Sequence, residues 1–160
     1  MYERYTENAR RALSLAKLEA AETGSTEIES HHLLQGIITG DRDLIQNALG
    51  NFSRDAIQEQ LLRKRRSGSA SRESEEIPMS SECKRILAAA EEEADRHGDA
   101  QVGGQHILLG LLRESKGFTA QQLKTNVRAE ELRQRLGFEA AEQSSGGLFG
   151  KLRRTLTGGR

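Results

Sequence analysis

Ser30-His31-His32-Leu33-Leu34-Gln35-Gly36-Ile37-Ile38 returns further along the chain as Gly104-Gln105-His106-Ile107-Leu108-Leu109-Gly110-Leu111-Leu112. His32 and His106 stand 74 residues apart, and so do Gly36 and Gly110. The same shift carries Thr6, Ala9, Leu13, Ala16 and Gly24 onto Ser80, Cys83, Leu87, Ala90 and Gly98. Self-similarity at a fixed period decides architecture before any local reading does. Here it makes the chain two copies of one helical unit: copy one over 2–66, a polar linker over 67–78, copy two over 79–138, and a tail over 139–160.

Each unit reads as four helices. Ala9, Leu13, Ala16 and Ala20 recur at spacings that form one face of a helix over 6–22. Thr6 is its expected N-cap, and Gly24 its stop. Cys83 takes the place of Ala9 in the second copy and is expected to be a buried small residue rather than a reactive thiol. The quoted stretch is the second helix, with Ser30 as N-cap in copy one and Gly104 as a weaker one in copy two. Its ridge is Leu33, Leu34, Ile37 and Ile38, matched by Ile107, Leu108, Leu111 and Leu112. Glycine inside a helix costs roughly 1 kcal/mol relative to alanine, so Gly36 and Gly110 predict close backbone packing. A third helix carries Leu44, Ile45, Ala48 and Leu49. Its counterpart offers Phe118 and Leu123 and is expected to be less firmly anchored. The fourth runs from Ser53 to about Arg66, and from about Arg128 to Leu136, after turns at Gly50-Asn51 and Lys124-Thr125-Asn126. Phe52, Ile57 and Leu61 are its apolar positions. The fold class that follows is all-α, a pseudo-twofold pair of four-helix units forming one domain. The units are expected to meet through helices one and five and through the ridges of helices two and six.

Composition narrows function mostly by exclusion. Of 160 residues, 24 are basic and 24 acidic, so no overall field draws the chain to nucleic acid or membrane. A lone cysteine excludes an internal disulfide and agrees with a reducing, cytoplasmic setting. No apolar run approaches the ~18 residues of a membrane span, and the N-terminus has no signal core. Gly150-Lys151 is followed by Leu152, with no glycine five residues earlier, so there is no phosphate-binding loop. His31 and His32 point about 100° apart on an ideal helix, and no further ligand completes a metal set at helical spacing. His32 and His106 are expected to pack between the units. The run Arg63-Lys64-Arg65-Arg66 complements a helix C-terminus. No enzyme activity, cofactor or metal is expected, and a monomer is.

The run Tyr5-Thr6-Glu7-Asn8-Ala9-Arg10-Arg11-Ala12-Leu13, then Gly24, then the quoted stretch, resembles the Clp N-terminal repeat, which fronts Clp-type AAA+ unfoldases. That family's second-helix pattern is Gly-Thr-Glu-His-Ile-Leu-Leu-Gly-Leu. Gly103 to Leu111 match it at seven of nine positions, and the resemblance covers about residues 2–138. It implies an all-α pseudo-twofold domain that binds adaptors and substrates for an unfoldase, here free-standing, without the ATPase modules. In members like the ClpC branch, each repeat binds phosphoarginine through the motif glutamate and the threonine opening the first helix. Carried over, the threonines are Thr6 and Ser80, and the glutamates are His31 and Gln105. Both carboxylates that would pair with a guanidinium are therefore missing. The resemblance then implies grooves lined by Thr6 and His31 in copy one, and by Ser80 and Gln105 in copy two. These would take peptide or adaptor but not phosphoarginine, and His31 would turn cationic below about pH 6.5.

The tail adds Leu148, Leu152 and Leu156 every fourth residue, with Phe149 beside them and Lys151, Arg153 and Arg154 around them. Such a segment suits docking in a protein groove, folding only on contact. The alternative is a scaffold domain unrelated to proteolysis, docking on a membrane surface or a partner helix through this tail.

Overall fold

A computed structural model describes residues 2–65, 77–114 and 116–138. Among these residues there are eight helices: α1 Glu7–Glu22, α2 Ser30–Gly40, α3 Arg42–Ala48, α4 Gly50–Arg65, α5 Ser81–His97, α6 Gly104–Arg113, α7 Phe118–Asn126 and α8 Ala129–Arg135. The architecture is all-α and repeats every four helices. Within each copy the first helix lies along the second, α1 on α2 and α5 on α6. Close approach explains why the stripes are small and why a glycine interrupts each second helix. A Cβ on Gly36 would collide with the Ala12 carbonyl oxygen, and one on Gly110 would lie 2.5 Å from the Ile86 carbonyl oxygen.

One core runs through both copies, from Leu34, Ile37 and Ile57 to Leu108, Leu111 and Leu132, all fully buried. The units do not meet chiefly through α1 and α5, as the sequence suggests. They meet where α2 reaches α5, α6 and α7, where α4 crosses α7, and where α3 touches α8. α7 is better anchored than its apolar content implies. Thr119, Ala120 and Leu123 are buried, and the Thr119 hydroxyl pairs with that of Ser30 at 2.9 Å.

The caps of both second helices also differ from expectation. Ser30 is not the N-cap of α2 but its first helical residue, and Glu29 is the cap; in copy two the cap is Gly103, one residue before Gly104. Gly50 makes its turn alone at φ +71°, so α4 begins there rather than at Ser53. Phe52 consequently falls on the outer face and is 88% exposed, not a core residue. Lys124 to Asn126 are helical, not a turn. Of the expected linker, Ile77 and Pro78 belong to the fold: Ile77 is buried and the Pro78 carbonyl is bonded by Ile28 N–H at 2.8 Å. Residues 67–76 and the tail lie outside the described residues.

Candidate functional site

Thr6 and Ser80 do the same local work. Their hydroxyls accept the backbone N–H of Ala9 and of Cys83, each at 3.1 Å, closing the first turn of α1 and α5. Their own backbones reach across the repeat. Thr6 N–H donates to the Val102 carbonyl at 2.9 Å, and Val102 N–H to that of Arg4 at 3.0 Å. Ser80 N–H donates to the Ile28 carbonyl at 3.0 Å, completing the second seam with the Ile28–Pro78 bond. Tyr5 is thus bridged in parallel to Val102, and Ile28 to Met79. The pairing expected within each copy is therefore exchanged. Thr6 stands at the start of α6, which carries Gln105, while Ser80 stands at the start of α2, which carries His31.

The histidines that repeat at 74 residues are caps, not inter-unit packing. His32 Nδ1 accepts the Glu29 N–H, and His106 Nδ1 accepts the Gly103 N–H, both at 2.9 Å. A ring nitrogen that accepts carries no proton, so each neutral imidazole holds its proton on Nε2. His106 Nε2–H meets Asp99 Oδ2 at 2.8 Å, and His32 Nε2–H faces the hydroxyls of Ser25 and Thr23 at 3.3 and 3.4 Å.

This tautomer decides the metal question differently from helix geometry. Far from diverging, the His31 and His32 rings lie 3.9 Å apart, and with Glu29 their ligand atoms gather within 4.8 Å. Metal on His32 Nε2 would force the ring proton onto Nδ1, against the Glu29 N–H, and break the cap. Glu29 and His31 alone are too few for a closed site.

His31 is also not the proton switch expected of it. Burial, with His32 and Lys64 nearby, pushes its pKa down to about 3, and His32 falls to about 4 through burial and Lys64. Both rings stay neutral across the range in which free histidine titrates. Copy one has not lost its carboxylate altogether: Glu29 Oε2 lies 3.6 Å from His31 Nδ1. Position 103 in copy two is glycine, so Gln105 has no such companion. Cys83 is fully buried and its thiol is pushed up to about 12, chiefly by burial, which suits packing and not nucleophilic chemistry.

Two cavities border α1, one beside a seam and one at the far end of the helix. A broad one of about 530 Å³ lies beside the Ile28–Met79 bridge. Leu13, Ile28 and Ile77 line it, with Arg10, Lys17 and Lys84 also at its walls. A smaller one, about 200 Å³, sits between the end of α1, the start of α2 and the end of α4, and His31 and His32 line it.

The model of the Clp repeat (R) N-terminal domain matches residues 4–126. The chain belongs to that family. Among Clp N-domain relatives, it is 34% identical over 143 residues to the chloroplastic chaperone protein ClpC of Pisum sativum, covering 83% of this chain and 15% of that protein. It is 28% identical to chaperone protein ClpB of Oceanobacillus iheyensis, over 94% of this chain and 19% of the relative. The chain thus spans less than a fifth of these relatives. Among solved structures, the N-terminal domain of the chaperone ClpD from Arabidopsis thaliana superposes with a TM-score of 0.64 at 28% identity, covering 84% of this chain and 93% of that one. The Hsp104 N-terminal domain from Candida albicans shares the fold at a TM-score of 0.65 and 19% identity.

Within this Clp N-domain, reasoning from sequence missed Glu29 and the end of α4, where Leu61, Lys64 and Arg65 line the smaller cavity. The mismatch of Glu29 with Gly103 between otherwise matched caps was the available signal for the first. The second had none, because the end of α4 is tied to α1 by tertiary ion pairs of Arg65 with Glu19 and Glu22, at 3.2 and 3.0 Å. No described helix is long and apolar enough to cross a membrane.

Proposed function

We propose that this Clp N-domain is a non-catalytic protein-binding module that receives adaptor or substrate polypeptides for a Clp-type AAA+ unfoldase. One observation carries the reading beyond family membership: the groove of about 530 Å³ beside the Ile28–Met79 seam. Leu13, Ile28 and Ile77 offer apolar contact to an extended segment, and Arg10, Lys17 and Lys84 would attract its acidic side chains. Recovery of unfoldase or protease subunits by the purified chain from native lysate tests the reading. Their absence, with Arg10→Glu and Lys84→Glu leaving the captured set unchanged, would sink it.

The polar positions at the two seams complete the proposal, Ser80 with His31 and Thr6 with Gln105. Neither pair presents the motif carboxylate that a phosphorylated guanidinium needs, so these grooves take unmodified polypeptide. His31→Glu with Gln105→Glu is expected to raise phosphoarginine affinity in a calorimetric titration. Equal affinity in the unsubstituted chain would show that charge is not what decides. Leu148, Phe149, Leu152 and Leu156 form the proposed docking edge of the tail, directed at a protein groove. Sedimentation with anionic vesicles that disappears on removing residues 144–160 would instead assign that edge to membrane.

A further inference from the structure

The repeat supplies its own comparison, because the two copies treat the same place differently. In copy two, Gly137 turns the chain at φ +80° after α8, and Phe138 N–H returns to the Arg133 carbonyl at 2.8 Å. The Phe138 ring is buried, edge-on to His97 at 4.0 Å and 5.6 Å from His106. It closes the space between the end of the unit's first helix and the start of its second.

Among the described residues, copy one has no such plug. His97 and Asp99 correspond to Thr23 and Ser25, which are much smaller. The fourth helix does not stop and fold back but continues to Arg65. Arg63, which corresponds to Phe138 at the 75-residue shift of this helix, pairs outward with Glu59 at 2.7 Å. His31, where copy two has Gln105, takes up part of the space. The remainder is the cavity of about 200 Å³, lined in part by Thr23, Ser25, His32, Leu61 and Leu62. A cavity of about 150 Å³ already admits benzene when its walls allow.

We infer that this cavity is a receptor for an aromatic side chain of an incoming polypeptide, seated where the second copy seats Phe138. The walls suit a ring. Leu61 and Leu62 offer aliphatic contact, His32 stands where His106 stands 5.6 Å from the Phe138 ring, and the charged groups of Glu19, Glu29 and Arg65 belong to the same lining. Lys64 also lines the space, with its ammonium 4.6 Å from the centre of the Phe118 ring. Only the source of the ring rests on the proposed role as a polypeptide-binding module. Binding of the ring itself is measured without any partner.

The test is a titration of the full ¹⁵N-labelled chain with N-acetyl-phenylalaninamide, followed by amide chemical shifts. N-acetyl-alaninamide is the control. Saturable shifts are expected at Gly24, Ser25 and His32 with the phenylalanine compound alone, and none at Gly98, Asp99 and His106. Ser25→Phe, which places a ring in the cavity, should abolish them. Phe138→Ala should make matching shifts appear at Gly98, Asp99 and His106. The wild-type titration decides even if that variant does not fold. No saturation, equal response to the alanine compound, or equal shifts in both copies of the wild type would overturn the inference. A Phe149→Ala chain whose Gly24 and Ser25 amides move without ligand would place the chain's own tail in the cavity, and would overturn the assignment to an incoming polypeptide.

Discussion

Gly36 sets two effects of opposite sign against each other. Alanine there would gain roughly 1 kcal/mol of helix propensity. Its methyl would, however, be driven into the Ala12 carbonyl, a backbone atom held by its own helix. Overpacking against a rigid neighbour costs about 1–3 kcal/mol, so Gly36→Ala is expected to lower stability in urea titrations. Gly110→Ala should behave alike against Ile86. The paired imidazoles give a second prediction. Folding holds His31 and His32 far below the ordinary histidine value, to about 3 and about 4. The unfolded chain therefore binds more protons between those values and about 6.5, and stability falls as pH drops through that window. Above about pH 6.5 both states are neutral at these rings and the contribution is flat. The urea midpoint should decline between about pH 7 and about pH 4.5, and His31→Gln should remove part of the decline. A midpoint independent of pH in that variant and the parent alike would mean the rings are not held neutral by burial.

At the scale of the helix, Leu34 and Leu108 are fully buried at matched positions of α2 and α6. Leu34→Ala and Leu108→Ala are each expected to cost about 2–5 kcal/mol, measured as loss of melting temperature; unchanged melting curves would show that the ridge lies elsewhere. These helices were legible because their stripes recur at 3.6 residues and because a capping hydroxyl acts within its own turn, as at Thr6 and Ser80. Ser30 was misread for the complementary reason. Its hydroxyl is spent on Thr119, 89 residues away, and no local window contains that partner. Phe52 was misread because the turn at Gly50 is shorter than its two-residue signal suggests, which rotates the opening of α4 outward. The exchanged seams escaped for a topological reason. Periodicity says that two copies exist, but not whether each first helix opens beside its own second helix or beside the other's.

For the molecule as a whole, removing residues 144–160 should leave the melting temperature nearly unchanged while weakening partner capture. A large drop would mean that the tail packs on its own domain. The exchanged seams have a further consequence, in assembly. The Tyr5–Val102 bridge spans 97 residues and the Ile28–Met79 bridge 51, so neither lies within a copy. Each half makes its own helix pair but leaves two backbone edges that only the other half can satisfy. Scission between the halves would therefore cost mainly the effective concentration that one continuous chain confers. Residues 1–66 and 77–160 produced as separate polypeptides should find each other and copurify, as a split protein whose reunion reports on the seams. Thr6→Pro deletes both the N–H given to Val102 and the hydroxyl that caps α1, so it should weaken that reunion more than Thr6→Val, which loses the cap alone.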